Sequence, residues 1–206
     1  LAGNVFAYKL GDAIYLNITN KCTNKCVFCI RQTSEGIGGY NLWLDKEPNL
    51  NELLLAAGDV RQYREVVSRG YGEPLFTVDL VIEASRALKK QGAYIRVDTN
   101  GQADIIHGRN IASELAGLVD AVSISLNASD ARQYVSICRP QMGEKAYSAM
   151  LEFAAQCKIH IPKVTLSVVR WPGVDINKCR EIAHNLGAEF KVRNFSGTFT
   201  YSGAFF

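Results

Sequence analysis

Three cysteines, Cys22, Cys26 and Cys29, fall in the spacing C-x3-C-x2-C. Three thiolates suit an iron–sulfur cluster or zinc, since both accept soft sulfur ligands. A closed structural zinc site needs a fourth Cys or His at short spacing. None follows, and the next histidine is His107. One coordination position is therefore expected to stay open, which favours chemistry over a structural staple. The chain has six cysteines in all, the others being Cys138, Cys157 and Cys179. An even count would also suit disulfides. However, 206 residues can bury a real core without them, and bunched cysteines point first to metal ligation.

The elements that must position this loop form a strand-then-helix rhythm. Short β-branched runs at 13–18, 64–68, 94–98, 121–126, 163–169 and 189–193 read as strands. Helical periodicity covers 77–91, 144–156 and 175–186, the last with Asp175 as cap and Gly187 as stop. Weaker helices fit 51–57 and 109–116. Residues 5–10, followed by Gly11-Asp12, suit a hairpin partner for the first of these strands. Strands alternating with helices imply a parallel sheet with right-handed crossovers. A closed eight-unit barrel needs roughly 250 residues. The expected fold is therefore α/β, a partial (β/α)6 TIM-type barrel in one domain over 1–206, with the cysteine loop after its first parallel strand. A doubly wound open sheet is the alternative.

With the motif in that position, and with the aromatic Phe28 just before the last cysteine, the chain resembles the radical S-adenosylmethionine (SAM) superfamily. The resemblance implies that Cys22, Cys26 and Cys29 hold a [4Fe–4S] cluster. Its fourth iron would take the amino and carboxylate groups of SAM. One electron would then cleave the S–C5′ bond, and the 5′-deoxyadenosyl radical would remove a hydrogen from the substrate. The turn Gly70-Tyr71-Gly72-Glu73-Pro74 is similar to the family's Gly-Gly-Glu-Pro turn, with Tyr71 in place of the first glycine of the pair. It implies that Gly72 and Glu73 meet the SAM amino group. Ser125 and Asn127, in the run Val122 to Asn127, would hold the ribose or methionine part. Asn100 lies at another polar strand end, Asp98-Thr99-Asn100-Gly101, and Ser167 lies on the strand expected near the adenine. Asn17 to Cys22, the run Gly39 to Leu44 and the Gly-Tyr-Gly-Glu-Pro turn most resemble the TatD-associated branch.

The remaining residues divide into sharper and blander readings. Arg139 could pair the SAM carboxylate or an anionic substrate, or form an ordinary loop salt bridge. Cys138, in Ser136-Ile137-Cys138-Arg139-Pro140, reads as a loop cysteine on a long excursion. Cys157 and Cys179 read as core thiols. The three histidines lack metal-site spacing. Trp43 and Trp171 would fill core or rim, with Trp171 the better candidate for the substrate side. Lys21, Lys25 and Arg31 form a basic flank that could steer an acidic electron donor such as flavodoxin or ferredoxin.

Composition narrows the class. Apolar residues make up 48% and charged residues 21%, which excludes disorder and low complexity. Lys plus Arg is 23 and Asp plus Glu is 20, a net +3 that is too mild to argue for nucleic acid. No window suits a membrane span, and residues 1–10 lack a signal-peptide layout, so a cytoplasmic protein is expected, and the resemblance implies an oxidoreductase. The substrate stays open between a small-molecule or nucleotide-type compound and a partner protein receiving a glycyl radical. A non-catalytic iron–sulfur protein for electron transfer or sensing is the alternative from another class.

Overall fold

The computed structural model describes residues 4–32 and 36–195. Strands β1 (Ala7–Leu10) and β2 (Ala13–Leu16) form an antiparallel hairpin. Its two-residue turn places Gly11 at φ 60, a conformation that a side chain would strain. From β2 onward each strand pairs in parallel with the next: β3 (Glu65–Ser68), β4 (Ile95–Thr99), β5 (Ala121–Ser125), β6 (Lys163–Val169) and β7 (Glu189–Arg193). The spatial order is β1-β2-β3-β4-β5-β6-β7. A doubly wound sheet must reverse its strand order at a switch point. No reversal occurs here, so that alternative is excluded.

Among the described residues seven α-helices connect the strands: α1 (Leu50–Ala57), α2 (Val78–Lys89), α3 (Ala103–His107), α4 (Ile111–Glu114), α5 (Ala131–Cys138), α6 (Lys145–His160) and α7 (Ile176–Asn185). As expected, Asp175 caps α7, accepting from Asn177 N and Lys178 N at 3.0 Å each. The helix expected over 109–116 is shorter, a single turn capped by Asn110. Helices α3 and α5 had no counterpart in the sequence reading. The α5 segment, Ala-Arg-Gln-Tyr-Val-Ser-Ile-Cys, carries β-branched Val135 and Ile137 and has weak helical propensity. It is helical because Asp130 caps Gln133 N at 2.8 Å and because its last carbonyls find partners in the cysteine loop. Cys138 is thus the buried end of a helix, a correction to its reading as a loop cysteine. Cys157 and Cys179 lie in the apolar core, as expected.

The sheet has two unlike faces, set by the period of two along each strand. Val66, Ile95, Val97, Val122, Ile124, Val164, Leu166 and Val168 pack in one core with Leu53, Val81, Leu88 and Phe153 of the helices. The opposite positions, among them Arg96, Asp98, Ser123, Ser125, Lys191 and Arg193, line a cavity. Among the described residues no helix is long and apolar enough to cross a membrane.

Two positions on α6 separate the buried face from the exposed one. Phe153 is fully buried, whereas Ile159 is 71% exposed. We expect Phe153→Ala to cost about 3–5 kcal/mol in urea denaturation. Ile159→Ala should stay within about 0.5 kcal/mol, as surface substitutions do. Equal losses at the two sites would contradict this packing.

Candidate active site

The cysteine loop leaves β2 and is fastened before the first cysteine. Asn17 donates to Val5 O at 2.9 Å and Leu42 O at 2.8 Å, and Asn20 exchanges bonds with the Leu44 backbone at 2.8 and 3.1 Å. Thr19 Oγ1 donates to Glu47 at 2.6 Å. Beyond Cys22 the loop lies along the end of α5. Lys25 N donates to Cys138 O at 3.1 Å, Val27 N to Ile137 O at 2.9 Å, and Gln141 N to Thr23 O at 2.8 Å. A helix end leaves its last carbonyls without intrahelical donors, and here the loop supplies them.

A buried side-chain network completes the anchoring. Gln102 Nε2 donates to Asn24 Oδ1 at 2.8 Å and to the Tyr134 hydroxyl at 3.1 Å, while Asn24 Nδ2 donates to the same hydroxyl at 3.2 Å. Thr23 Oγ1 donates to Gln102 Oε1 at 2.8 Å and accepts from Asn100 Nδ2 at 2.9 Å. All five side chains are buried, so each lost bond would leave an unsatisfied polar group.

Cys22, Cys26 and Cys29 all line a cavity of about 330 Å³ at the C-terminal ends of the parallel strands. Among the described residues no three His, Cys, Asp or Glu converge on a point that could hold a single metal ion. An iron–sulfur cubane makes a different demand, with each thiolate on its own iron and the donors surrounding a volume. Three thiols around an open cavity fit that demand. Hydrogen-bond donors to sulfur are already in place. Asn24 N lies 3.4 Å from Cys22 Sγ, and Arg31 Nε lies 3.3 Å from Cys29 Sγ. Arg31 also donates to Asn20 O at 3.3 Å and Asn24 O at 3.2 Å. It is therefore folded onto the loop, and the expected basic flank for a donor reduces to Lys21, ion-paired with Glu47, and Lys25. Burial pushes the Cys22 thiol up to about 12, with the nearby Glu73 adding to the shift. Contact with Cys138, then burial, raises Cys26 as well. Metal charge is what would compensate thiolates in such surroundings.

The Gly-Tyr-Gly-Glu-Pro turn lies against this loop. Glu73 N donates to Lys21 O at 2.8 Å. A Cβ on Gly72 would fall 2.2 Å from Thr19 O and 2.7 Å from Lys21 O, both backbone atoms. Only glycine allows so close an approach. The Glu73 carboxylate turns inward, accepting from Thr99 Oγ1 at 2.7 Å, Asn100 N at 2.6 Å and Leu75 N at 3.1 Å. It thus joins the turn after β3 to the end of β4. Burial still outweighs these bonds and lifts its pKa to about 7.

Of the remaining expected residues, Phe28, Asn100, Ser125, Asn127 and Ser167 line the same cavity. The ring of Phe28 packs 5.4 Å from that of Trp171. Asn127 sits at φ 56, accepts from Val169 N at 3.2 Å and donates to Cys138 Sγ at 3.7 Å, so its amide ties the ends of β5 and β6 to α5. Arg139 does not join the group. It lies exposed at the C-terminal cap of α5 with φ 46, and it is not among the residues around the cavity. The arginines and lysine that do line it are Arg69, Arg96, Lys191 and Arg193, none of which was singled out from the sequence. A signal for three of them was present. A parallel strand buried on both faces reads as a continuous apolar run, yet β4 and β7 carry charge at every second position.

Two measurements test this geometry. Tyr134→Phe removes the hydroxyl that serves both Asn24 and Gln102, and should cost about 1–3 kcal/mol in the metal-free chain. For Glu73 the folded-state pKa lies above the ordinary value of 4.5, so its contribution is fully present below pH 4.5 and is lost as pH rises through about 7. Relative to Glu73→Gln, wild-type stability should therefore fall across that window. A pH-independent difference between the two proteins would contradict the buried carboxylate.

Residues 16–186 match the family described as the Radical SAM superfamily. A GTP 3′,8-cyclase from Corynebacterium glutamicum (strain R) is 30% identical over 89% of this chain. The match covers 48% of that relative, so the chain spans about half the length of the curated protein. Among solved structures, Streptococcus suis SuiB bound to its precursor peptide SuiA has a TM-score of 0.70 at 14% identity, covering 92% of this chain and 40% of that one. SuiB bound to S-adenosylmethionine has a TM-score of 0.68 at 16% identity, covering 91% and 41%. These two show a shared fold. The chain belongs to the radical SAM superfamily of enzymes, whose cofactors are a [4Fe–4S] cluster and S-adenosylmethionine.

Proposed function

We propose that this chain is a radical SAM enzyme in which Cys22, Cys26 and Cys29 each hold one iron of a [4Fe–4S] cluster. The observation that carries the reading is the position of the three thiols. They face one cavity, beside the turn containing Glu73 and the end of β4. The cluster and SAM held there would supply reductive, one-electron chemistry for taking hydrogen from a substrate.

The protein's part is binding, orientation and exclusion of water. Arg31 holds Cys29 and the loop backbone in place. Gly72 lets the turn close on the loop, and Glu73 fixes the end of β4 behind it. The turn's backbone beside Gly72 is then what meets the SAM amino group. Ser125 and Ser167 offer hydroxyls to the ribose or methionine part, Asn127 shapes the strand ends around them, and Asn100 borders Cys22 at 4.0 Å. Phe28 faces the reacting centre, backed by the ring of Trp171, and would help to exclude water from it. The singly wound strand order supports an open, partial (β/α)6 barrel in one domain, with the substrate on its concave face. Six cysteines, three of them bunched in one loop, suit a reducing compartment such as the cytoplasm. The Gly-Tyr-Gly-Glu-Pro turn and the Gly39 to Leu44 run support placing the chain in the TatD-associated branch. A small molecule is favoured over a protein substrate because the cavity is compact and lined by charge. The electron enters from an external reductant, flavodoxin or ferredoxin being the candidates.

Reconstituted protein should be brown, and Cys22→Ala, Cys26→Ala or Cys29→Ala should each abolish the iron–sulfur absorbance. Dithionite with SAM should release 5′-deoxyadenosine from the wild type. Reversible cluster redox without SAM binding would instead indicate an electron-transfer or sensing protein.

A further inference from the structure

The concave face of the sheet carries more positive than negative charge once its ion pairs are matched. Arg96 is held by Glu65 at 3.0 Å and by Asp98, and Arg69 reaches Asp98 at 3.3 Å. Glu189 pairs with Lys163 at 3.2 Å. Lys191 and Arg193, two residues apart on β7 and so on one face, have no ion pair among the described residues. Of residues 1–3, 33–35 and 196–206, which lie outside the described ones, Glu35 alone carries a carboxylate side chain.

Arg193 is the unusual member. It is the last residue of β7, beside Val169 in the sheet, and it lines the cavity with the cysteines. Its Nη2 donates to Ser125 Oγ at 3.3 Å, while its buried Nε has no partner. Burial lowers its pKa, and the positive charge of Arg69 lowers it further. Asp98 is the carboxylate that acts on it, but both Asp98 oxygens are already engaged by Arg96 and Arg69. A guanidinium desolvated to this degree without an anion is costly, and its planar fork matches an oxyanion.

The depth of the charges bears on the source of that anion. Lys191 lies one pleat, about 7 Å, further from the cysteine mouth than Arg193. It also lines a second cavity, which shares Arg96 and Ser123 with the first and reaches Arg64 and Lys163 near the N-terminal ends of the strands. Arg193 stands at the mouth with the cysteines, and Lys191, Arg96 and Lys163 continue the positive charge inward from it.

We propose that Arg193, with Arg69 and Lys191 beside it, forms a subsite for the phosphate or carboxylate group of an anionic substrate. This rests on the enzymatic reading above and names the substrate class for the same site. The test is calorimetric titration of the full chain at low ionic strength with pyrophosphate and, separately, with citrate. Arg193→Gln should weaken the bound anion about 10-fold or more, and Arg193→Lys should restore part of the loss. Because Arg193 donates to Ser125, SAM affinity of the cluster-loaded protein should fall in Arg193→Gln by no more than in Ser125→Ala. The better of the two anions then separates a phosphate from a carboxylate substrate. Binding of neither anion, or equal binding by Arg193→Gln, would overturn the subsite. So would a loss of SAM affinity in Arg193→Gln larger than that in Ser125→Ala, which would assign Arg193 to the SAM carboxylate. Failure of the enzymatic reading is separately visible, as absence of 5′-deoxyadenosine from the wild type.

Discussion

The hydrogen bonding between the cysteine loop and the end of α5 is the constraint on which the site depends. An irregular loop carries backbone donors and acceptors that must be satisfied when it is buried. A helix end has the complementary problem. Joining Lys25 and Val27 to the last carbonyls of α5 resolves both at once. The Thr23, Asn24, Asn100, Gln102 and Tyr134 network then ties the same loop to the end of β4. The three cysteines thus hang from a braced frame, as a site meant to hold a group in fixed geometry requires.

The two faces of the sheet divide the labour. The helix-covered face supplies the apolar burial that stabilises the fold. The opposite face is polar and partly charged, where a closed TIM barrel would fill its interior with branched apolar side chains. Stability is given up on one face, and a lined, chemically differentiated cavity is obtained. Glu73 and Arg193 illustrate this. Each is an ionisable group whose burial opposes its charged form, and each lies among the residues that surround the thiols.

Much of this was legible before any coordinates. The parallel strands are recognisable as β-branched runs, and α2, α6 and α7 as periodic segments, α7 with a cap and a stop signal; α6 runs on to His160, past the expected end at 156. These are the features that local chemistry controls most strongly. Helices α3 and α5 were missed because their sequences have weak local preference and are held by capping and tertiary contact. Missing α5 had a further consequence. Cys138 and Arg139 were read as loop residues on the active face, when one is buried at a helix end and the other caps that helix and points to solvent.

By itself, the sequence determined the cysteine spacing, the strand-and-helix order and the Gly-Tyr-Gly-Glu-Pro turn, because each is written in adjacent residues whose chemistry acts over a few ångströms. Only the tertiary structure decided which charges share the cavity. Arg69 follows β3, Arg96 lies in β4 and Arg193 ends β7, and no local pattern records that they meet. It also decided that the Glu73 carboxylate faces the end of β4 and that Arg31 folds back on the loop. Those outcomes depend on which groups burial leaves without water, a property of the packed sheet rather than of any single segment.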